Sequence, residues 1–412
     1  MSVLHRTLFT GAFSIACWCL SLDLAAQTPQ ATTPDAGAPQ AEAAPPTDPL
    51  LVDVENAIRI SSRRYLTGNV HTPWQIFHGV LALRNEFLIK VDDDKSSALK
   101  WMAQGQSYRG EPWFQVTEHG GRAHVFSEAY AFEGHPNQFL AILSVSDLPL
   151  DHKFQADRGV ITIADMVKHA QAEVNDQEEI TWTLWALSHY LPTDAQWTNR
   201  YGQRWSVERL VQIQTAADVH DEACGGTHGM FALSRARNSY LRQGAALRGV
   251  WMEADQKIQR YIAEARSYQN SDGSFSNAFF QGQEYTGDFE TRIASSGHTL
   301  EFLVEALPQQ RLKEQWFRNG VAAMARDLIE HRRESVKCGP LYHAVSGLVI
   351  YRDRIRSALK TTDTADSTES DSTESDSTEA ASAESAPSGT RKPEAVRVLK
   401  TDAEDGDAVR SN

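Results

Sequence analysis

The chain gathers its most reactive side chains in one stretch, His220-Asp221-Glu222-Ala223-Cys224-Gly225-Gly226-Thr227-His228, followed at once by the apolar Met230-Phe231-Ala232-Leu233. A thiol, two imidazoles and two carboxylates ahead of a helical segment are the residue types of metal sites and of acid–base sites. Cys224 and His228 stand four apart, and share a face if the helix already includes Cys224. Gly225-Gly226 suits a loop there equally well. Zinc asks for about four soft or borderline donors, one position being left to water in a catalytic site. His298, with Cys338 or His343, would complete such a set with Cys224 and His228. No Cys-x-x-Cys or His-Glu-x-x-His motif is present. Simpler readings compete with the metal site. A single histidine on an apolar face is most often a core residue, and Asp221 and Glu222 suit the positive end of a helix dipole. In an exported protein, Cys224 and Cys338 could also pair as a disulfide.

The elements that must position these groups repeat. Charged amphipathic segments (roughly 52–66, 96–105, 161–174, 206–217, 250–268 and 314–333) alternate with more apolar ones (roughly 74–87, 137–145, 180–191, 228–240, 298–307 and 342–352). Three- and four-residue apolar spacing, as in Ile258, Tyr261, Ile262 and Ala265, marks both sets as helices. Six outer–inner pairs, at a period of about 50 residues, are the pattern of a helical-hairpin repeat. Histidines recur near the inner starts: His78, His135, His228, His298 and His343, with only the third segment lacking one. If the hairpins close into a ring, these line one mouth of its cavity. Between the second pair, residues 113–116 and 123–126 alternate around a Gly120-Gly121 turn, predicting a small β-hairpin.

The ends differ from this middle. Residues 1–26 read as an export signal, with His5 and Arg6 before an apolar run and small residues Ala25-Ala26 at its end; an uncleaved anchor is the alternative. Residues 27–47 form an Ala/Pro-rich linker that cannot bury enough surface to offset chain entropy. Residues 361–412 hold 13 acidic and 5 basic side chains, a net of −8 out of the chain's −14. The acidity is therefore mostly that of a solvated tail, which argues against nucleic acid as a partner. The segment 48–360 is left as the one folded domain.

Tyr268-Gln269-Asn270-Ser271-Asp272-Gly273-Ser274-Phe275 resembles the Gln-x-x-Asp-Gly-Ser-aromatic repeat of the terpenoid cyclase and protein prenyltransferase α/α toroids. The resemblance implies an all-α fold, with the Asp-Gly making a tight turn between an outer and an inner helix. Glu222-Ala223-Cys224 resembles the Asp-x-Cys zinc pair of prenyltransferase β subunits, and His298 stands where a later inner helix supplies their imidazole. Leu341-Tyr342-His343 resembles their Phe-Tyr-His text, one hairpin late. Cys338 and His343 also resemble the zinc ligands of lanthionine-forming cyclases, without their Cys-His-Gly triplet. Asp92-Asp93-Asp94 departs from the Asp-x-Asp-Asp acid of the cyclases and suits the start of an outer helix instead. An exported chain also lacks access to isoprenoid diphosphates, which argues against ordinary cyclase or prenyltransferase activity.

The expectation is an exported, monomeric, all-α protein, an (α/α)6 toroid of six helical hairpins with one β-hairpin insertion and no stable membrane span. Its site lies at the mouth formed by the inner-helix starts and takes a small-molecule, peptide or glycan ligand. The leading reading is a zinc-dependent enzyme with Cys224, His228, His298 and His343 as ligands. The second is a metal-free glycan lyase or hydrolase using Asp221, Glu222, His228, His298 and Tyr342, with Trp74, Trp182, Phe275, Phe279 and Tyr285 stacking on sugar rings. The third is a non-catalytic binding or scaffold module.

Overall fold

Several helix starts in this chain are made by short polar side chains that satisfy otherwise unpaired backbone N–H groups. Thr72 and Gln75 cap one helix reciprocally and Thr162 and Asp165 another, while Ser97, Ser206 and Asp288 each accept from the third residue onward. The structure, a computed structural model, describes residues 48–125 and 130–369. The expected signal (1–26), the linker (27–47) and the tail beyond 369 lie outside the described residues.

These residues form twelve helices: α1 Pro49–Ser61, α2 Pro73–Leu83, α3 Ala98–Met102, α4 Gln138–Ser144, α5 Ile163–Glu173, α6 Thr181–Tyr190, α7 Val207–Ala216, α8 Thr227–Arg242, α9 Val250–Ser267, α10 Phe289–Ala306, α11 Gln315–Glu330 and α12 Cys338–Glu369. The last runs past residue 361, where the tail was expected to begin. The even-numbered helices α2 to α10 are the more buried set: every residue of α4 and eight of the ten in α6 are buried. The odd-numbered ones bury a single face, as α5 does with Ile163, Met166, Val167, His169 and Ala170. Packing follows that difference. Helix α2 contacts α4, α4 contacts α6, and the series continues through α8, α10 and α12, which returns to α2. Helix α1 packs on α11, and α7 on α9. Among the described residues, no helix is long and apolar enough to cross a membrane.

Five antiparallel two-stranded hairpins punctuate this helical fold: β1 Leu88–Val91 with β2 Asp94–Ser97, β3 Ser107–Tyr108 with β4 Glu111–Pro112, β5 Phe114–Thr117 with β6 Gly120–Ala123, β7 Lys153–Ala156 with β8 Gly159–Thr162, and β9 Gln196–Thr198 with β10 Arg204–Ser206. The third lies where a hairpin was expected, but its turn is Glu118-His119 and Gly120-Gly121 belong to strand β6 rather than to the turn; the other hairpins are additional. Asp92 and Asp93 prove to be the turn of the first, Asp92 at φ 53°, rather than charges at a helix start. Aspartate tolerates that conformation better than most residues.

The Gln-x-x-Asp-Gly-Ser-Phe segment works as a clamp between α9 and α11. Gln269 Nε2 donates to the carbonyls of Gly273 (2.8 Å) and Trp316 (2.9 Å). Asp272 accepts from Ser274 and pairs with Arg292 at 3.0 Å. Arg292 in turn is fixed by buried Asp327 at 2.9 Å. Gly273 has φ +92°, and a Cβ there would stand 2.6 Å from the Asn319 carbonyl oxygen. Gly273→Ala should therefore destabilise the fold by about 2 kcal/mol or more. Urea unfolding measures this, and a change below about 0.5 kcal/mol would show the clamp to be slack.

A candidate metal centre in a histidine cluster

The stretch that opened the sequence reading is a loop up to Gly226. Cys224, Gly225 and Gly226 all occupy the left-handed region, at φ 51°, 61° and 74°. The two glycines have no alternative, because a Cβ would strike Phe279 at Gly225 and Val219 at Gly226. Cys224 has no such freedom, and holding a side chain there costs roughly 1–2 kcal/mol. Of the two arrangements open from sequence, a shared helical face or a loop, the structure has the loop, which is strained and folds the thiol back on the first turn of α8. Thr227 Oγ1 secures the fold-back by donating to the Cys224 carbonyl at 2.8 Å. The result brings donor atoms of Cys224, His228 and His298 within 4.8 Å of one another.

Around this trio the inner helices assemble an imidazole cluster. Ring centroids lie 5.0 Å apart for His228–His298, 5.0 Å for His228–His343, 3.8 Å for His298–His343 and 5.4 Å for His78–His343. All four are buried. Glycines beside three of them permit the approach: a Cβ on Gly79 would meet the Phe87 ring, on Gly229 the Glu222 carboxylate, and on Gly297 the Ala344 backbone at 2.9 Å. The tautomers follow from the partners. His78 Nδ1 contacts the Trp74 carbonyl at 2.7 Å and His298 Nδ1 the Ala294 carbonyl at 2.6 Å. A carbonyl only accepts, so Nδ1 carries the proton and Nε2 the lone pair. His343 Nδ1 lies 2.7 Å from Glu301 Oε2. His228 Nε2 and Glu301 Oε1 are buried with no hydrogen-bond partner, which is costly unless a hydrogen-bond donor or a cation meets them.

Electrostatics agree with that reading. Burial, reinforced for His298 by the neighbouring His343, takes His298 down to about 3, and burial takes His343 to about 3. His78 and His228 are also held well below the usual imidazole range, by burial first and by the other histidines second. Burial pushes Glu301 up to about 7. Cys224 reaches solvent as a residue, yet desolvation of its thiol, with Glu301 and Glu179 adding to it, pushes it up to about 11. Neutral imidazoles with free lone pairs beside a thiol make a donor set that a borderline cation satisfies, and a coordinated thiol is deprotonated outright.

Not every expected residue joins. Glu222 is turned to α7: Gln214 Nε2 donates to its Oε1 at 2.6 Å, and Thr181 Oγ1 donates to Gln214 at 2.9 Å. Asp221 is exposed. Tyr342 is buried against Phe87 with its hydroxyl unpartnered. Cys338 and Cys224 are both free thiols, so no disulfide joins them. Trp182 and Phe275 are buried packing residues rather than sugar platforms, whereas Tyr285 is exposed. His298 proves to lie mid-helix, because α10 starts at Phe289.

The fifth histidine, His135, faces Glu179 at 2.5 Å and lines a cleft of about 270 Å³ with Glu133, Asn137, His169 and Thr183. Its ring is 5.7 Å from Trp182, which lies 4.9 Å from His228, so the buried indole stands between the cleft and the cluster. Glu133 there is kept protonated by burial, its carboxyl raised to about 8. Sequence reading missed Glu179, Glu133 and Glu301. For Glu301 a signal existed: a lone carboxylate in the apolar run Thr299-Leu300-Glu301-Phe302-Leu303, three residues after His298.

No protein-family model, curated protein or solved structure matches the chain.

If Cys224 is kept for its sulfur rather than for packing, relieving its backbone is harmless to the metal-free fold. Cys224→Gly should leave stability unchanged or raise it by up to about 1 kcal/mol. Cys224→Ala, which keeps the strained conformation, should gain nothing and stay within about 0.5 kcal/mol of wild type. A loss of about 2 kcal/mol in Cys224→Gly, by thermal or urea unfolding without metal, would make the thiol a packing element.

Proposed function

We propose that the chain is an exported enzyme built as an (α/α)6 toroid, with a zinc ion held by Cys224, His228 and His298 at the mouth lined by the inner helices. The closed series of contacts from α2 through α12 and back to α2 supports the toroid; the N-terminal sequence supports export. The observation that carries the metal is the convergence of three donor atoms within 4.8 Å, one of them on an imidazole whose Nε2 is buried without a partner. Three protein donors leave a fourth tetrahedral position for water or substrate, the arrangement of catalytic rather than structural zinc. Zinc there supplies Lewis acidity and activates water, which points to hydrolysis as the reaction class. A cleft lined by Glu133, His135 and Glu179 lies apart from the three donors. That cleft favours a second reading, metal-free acid–base chemistry on a glycan, because it pairs a protonated Glu133 with the His135–Glu179 couple.

Metal titration of the full chain after chelation decides between them. The zinc reading expects one tightly bound zinc per chain, with Cys224→Ser and His298→Ala each weakening it by at least about 100-fold. A chain that binds no zinc, or binds it equally in both variants, would remove the centre and leave the cleft reading standing.

A further inference from the structure

The cleft beside His135 holds more acid than its neighbours neutralise. Four glutamates line it, Glu133, Glu173, Glu178 and Glu179, against a single arginine, Arg122, among the described residues. Two of the acids are already paired: Glu173 with Arg200 at 3.0 Å, and Glu179 with His135 at 2.5 Å. Arg122 turns to Gln115, its Nε donating to Oε1 at 3.0 Å. Glu133 and Glu178 have no ion pair among the described residues. Glu178 is exposed, where a missing partner costs little. Glu133 is only 7% exposed. Its Oε1 accepts from the Phe139 N–H at 2.8 Å, and Oε2 has no hydrogen bond among the described residues. Burying a carboxyl with one oxygen unsatisfied is expensive. In the protein alone a proton meets that need: burial raises Glu133 to about 8, outweighing the Phe139 N–H and Arg122, which act the other way. Because Oε1 is the acceptor, the proton belongs on Oε2.

We propose that this cleft binds a primary ammonium group, with Glu133 and Glu178 as its carboxylate partners. At about 270 Å³ the cleft falls just below the roughly 300–1,000 Å³ of sites for drug-sized ligands, a size for a lysine side chain or a small alkylamine. An ammonium has three donors and no acceptor, the complement of a wall of carboxyl oxygens. Its positive charge favours the ionised form of Glu133, whose Oε2 proton passes to solvent as the amine enters. The other charged and titratable groups of the cleft are placed as follows. Arg122 on β6 opposes the cation. His169 on α5 is neutral, taken to about 4 by burial, with Arg122, His119 and Arg200 adding to it. Glu173 on α5 stays with Arg200, and His135 ahead of α4 stays with Glu179 ahead of α6. Below about pH 8 the amine must displace the Glu133 proton, so its affinity falls as pH falls and levels off above that value. The site needs no metal and does not depend on the zinc reading.

Calorimetry on the full chain tests this with Nα-acetyl-lysine methylamide and n-butylammonium, each in two buffers of different ionisation heat. Both should bind, with release of on the order of one proton at pH 7 and roughly 10-fold weaker affinity at pH 6.5 than at pH 8. Nα-acetyl-norleucine methylamide, which lacks the charge, should bind at least about 10-fold more weakly than the lysine derivative. Glu133→Gln keeps an acceptor for the Phe139 N–H; it should weaken both ammonium probes at least about 10-fold at pH 8 and abolish the proton release. Glu178→Gln, at an exposed position, should cost about 2- to 5-fold. Tighter binding of the lysine derivative assigns the site to a peptide side chain, and tighter binding of butylammonium to a free amine; either result upholds it. Norleucine binding as tight as that of lysine, or ammonium binding unchanged in Glu133→Gln, overturns it. Binding of xylose in place of the amines, without proton release, does so too and returns the cleft to the glycan reading. The proton count and the pH series are read on the wild-type chain, so they decide the matter even where a variant fails to fold. Zinc content is a separate measurement, and a chain without zinc leaves this test intact.

Discussion

Four imidazoles packed 3.8 to 5.4 Å apart inside a protein can coexist only if they carry no charge. A proton on any one would be desolvated and would repel its neighbours, and both effects depress the affinity of each for protons. Neutrality has a structural consequence. Each ring must place its single N–H on an acceptor, and for three of the four the carbonyls of Trp74 and Ala294 and the carboxylate of Glu301 provide it. The remaining nitrogens are lone-pair donors gathered in one place. Interiors rarely keep such a group unsatisfied, and the fold adds a thiol to it through a loop that strains Cys224. The strained Cys224, the unpartnered His228 Nε2 and the converging donors belong to the same three-residue group.

The helices that build this point are selected for close approach. Glycines next to His78, His228 and His298 remove the side chain that would hold neighbours off, and α10 and α12 lie close enough for a Cβ on Gly297 to touch backbone at Ala344. The outer helices contribute from a distance. α7 holds Glu222 through Gln214, and α11 holds the α9–α10 turn through Gln269 and Asp327. That turn leads into α10, which carries both His298 and Glu301.

Much of this was readable from residue order. Alternating amphipathic and apolar segments marked the helices because a 3.6-residue period survives across ten or more positions. Strands of two to four residues are too short to show alternation, so four of the five hairpins were invisible, and the Asp92-Asp93 turn looked like helix-start charge. The early start of α10 was hidden because Arg292 reads as polar surface, although it is buried on Asp327. The recurring histidines and Cys224 marked residues that the fold brings together. Asp221 and Tyr342 were included because sequence proximity says nothing about which way a loop or a helix face turns. Glu301 was overlooked for the converse reason: its partner lies 42 residues away, and only packing reveals it.

The claim on which this account rests is that one cation sits between Cys224, His228 and His298. Zinc K-edge X-ray absorption on the metal-loaded full chain addresses it most directly. The account expects one sulfur at about 2.3 Å and at least two imidazole nitrogens at about 2.0–2.1 Å, with the sulfur contribution absent in Cys224→Ser. A shell of oxygens and nitrogens alone in the wild-type chain, with no sulfur, would contradict it.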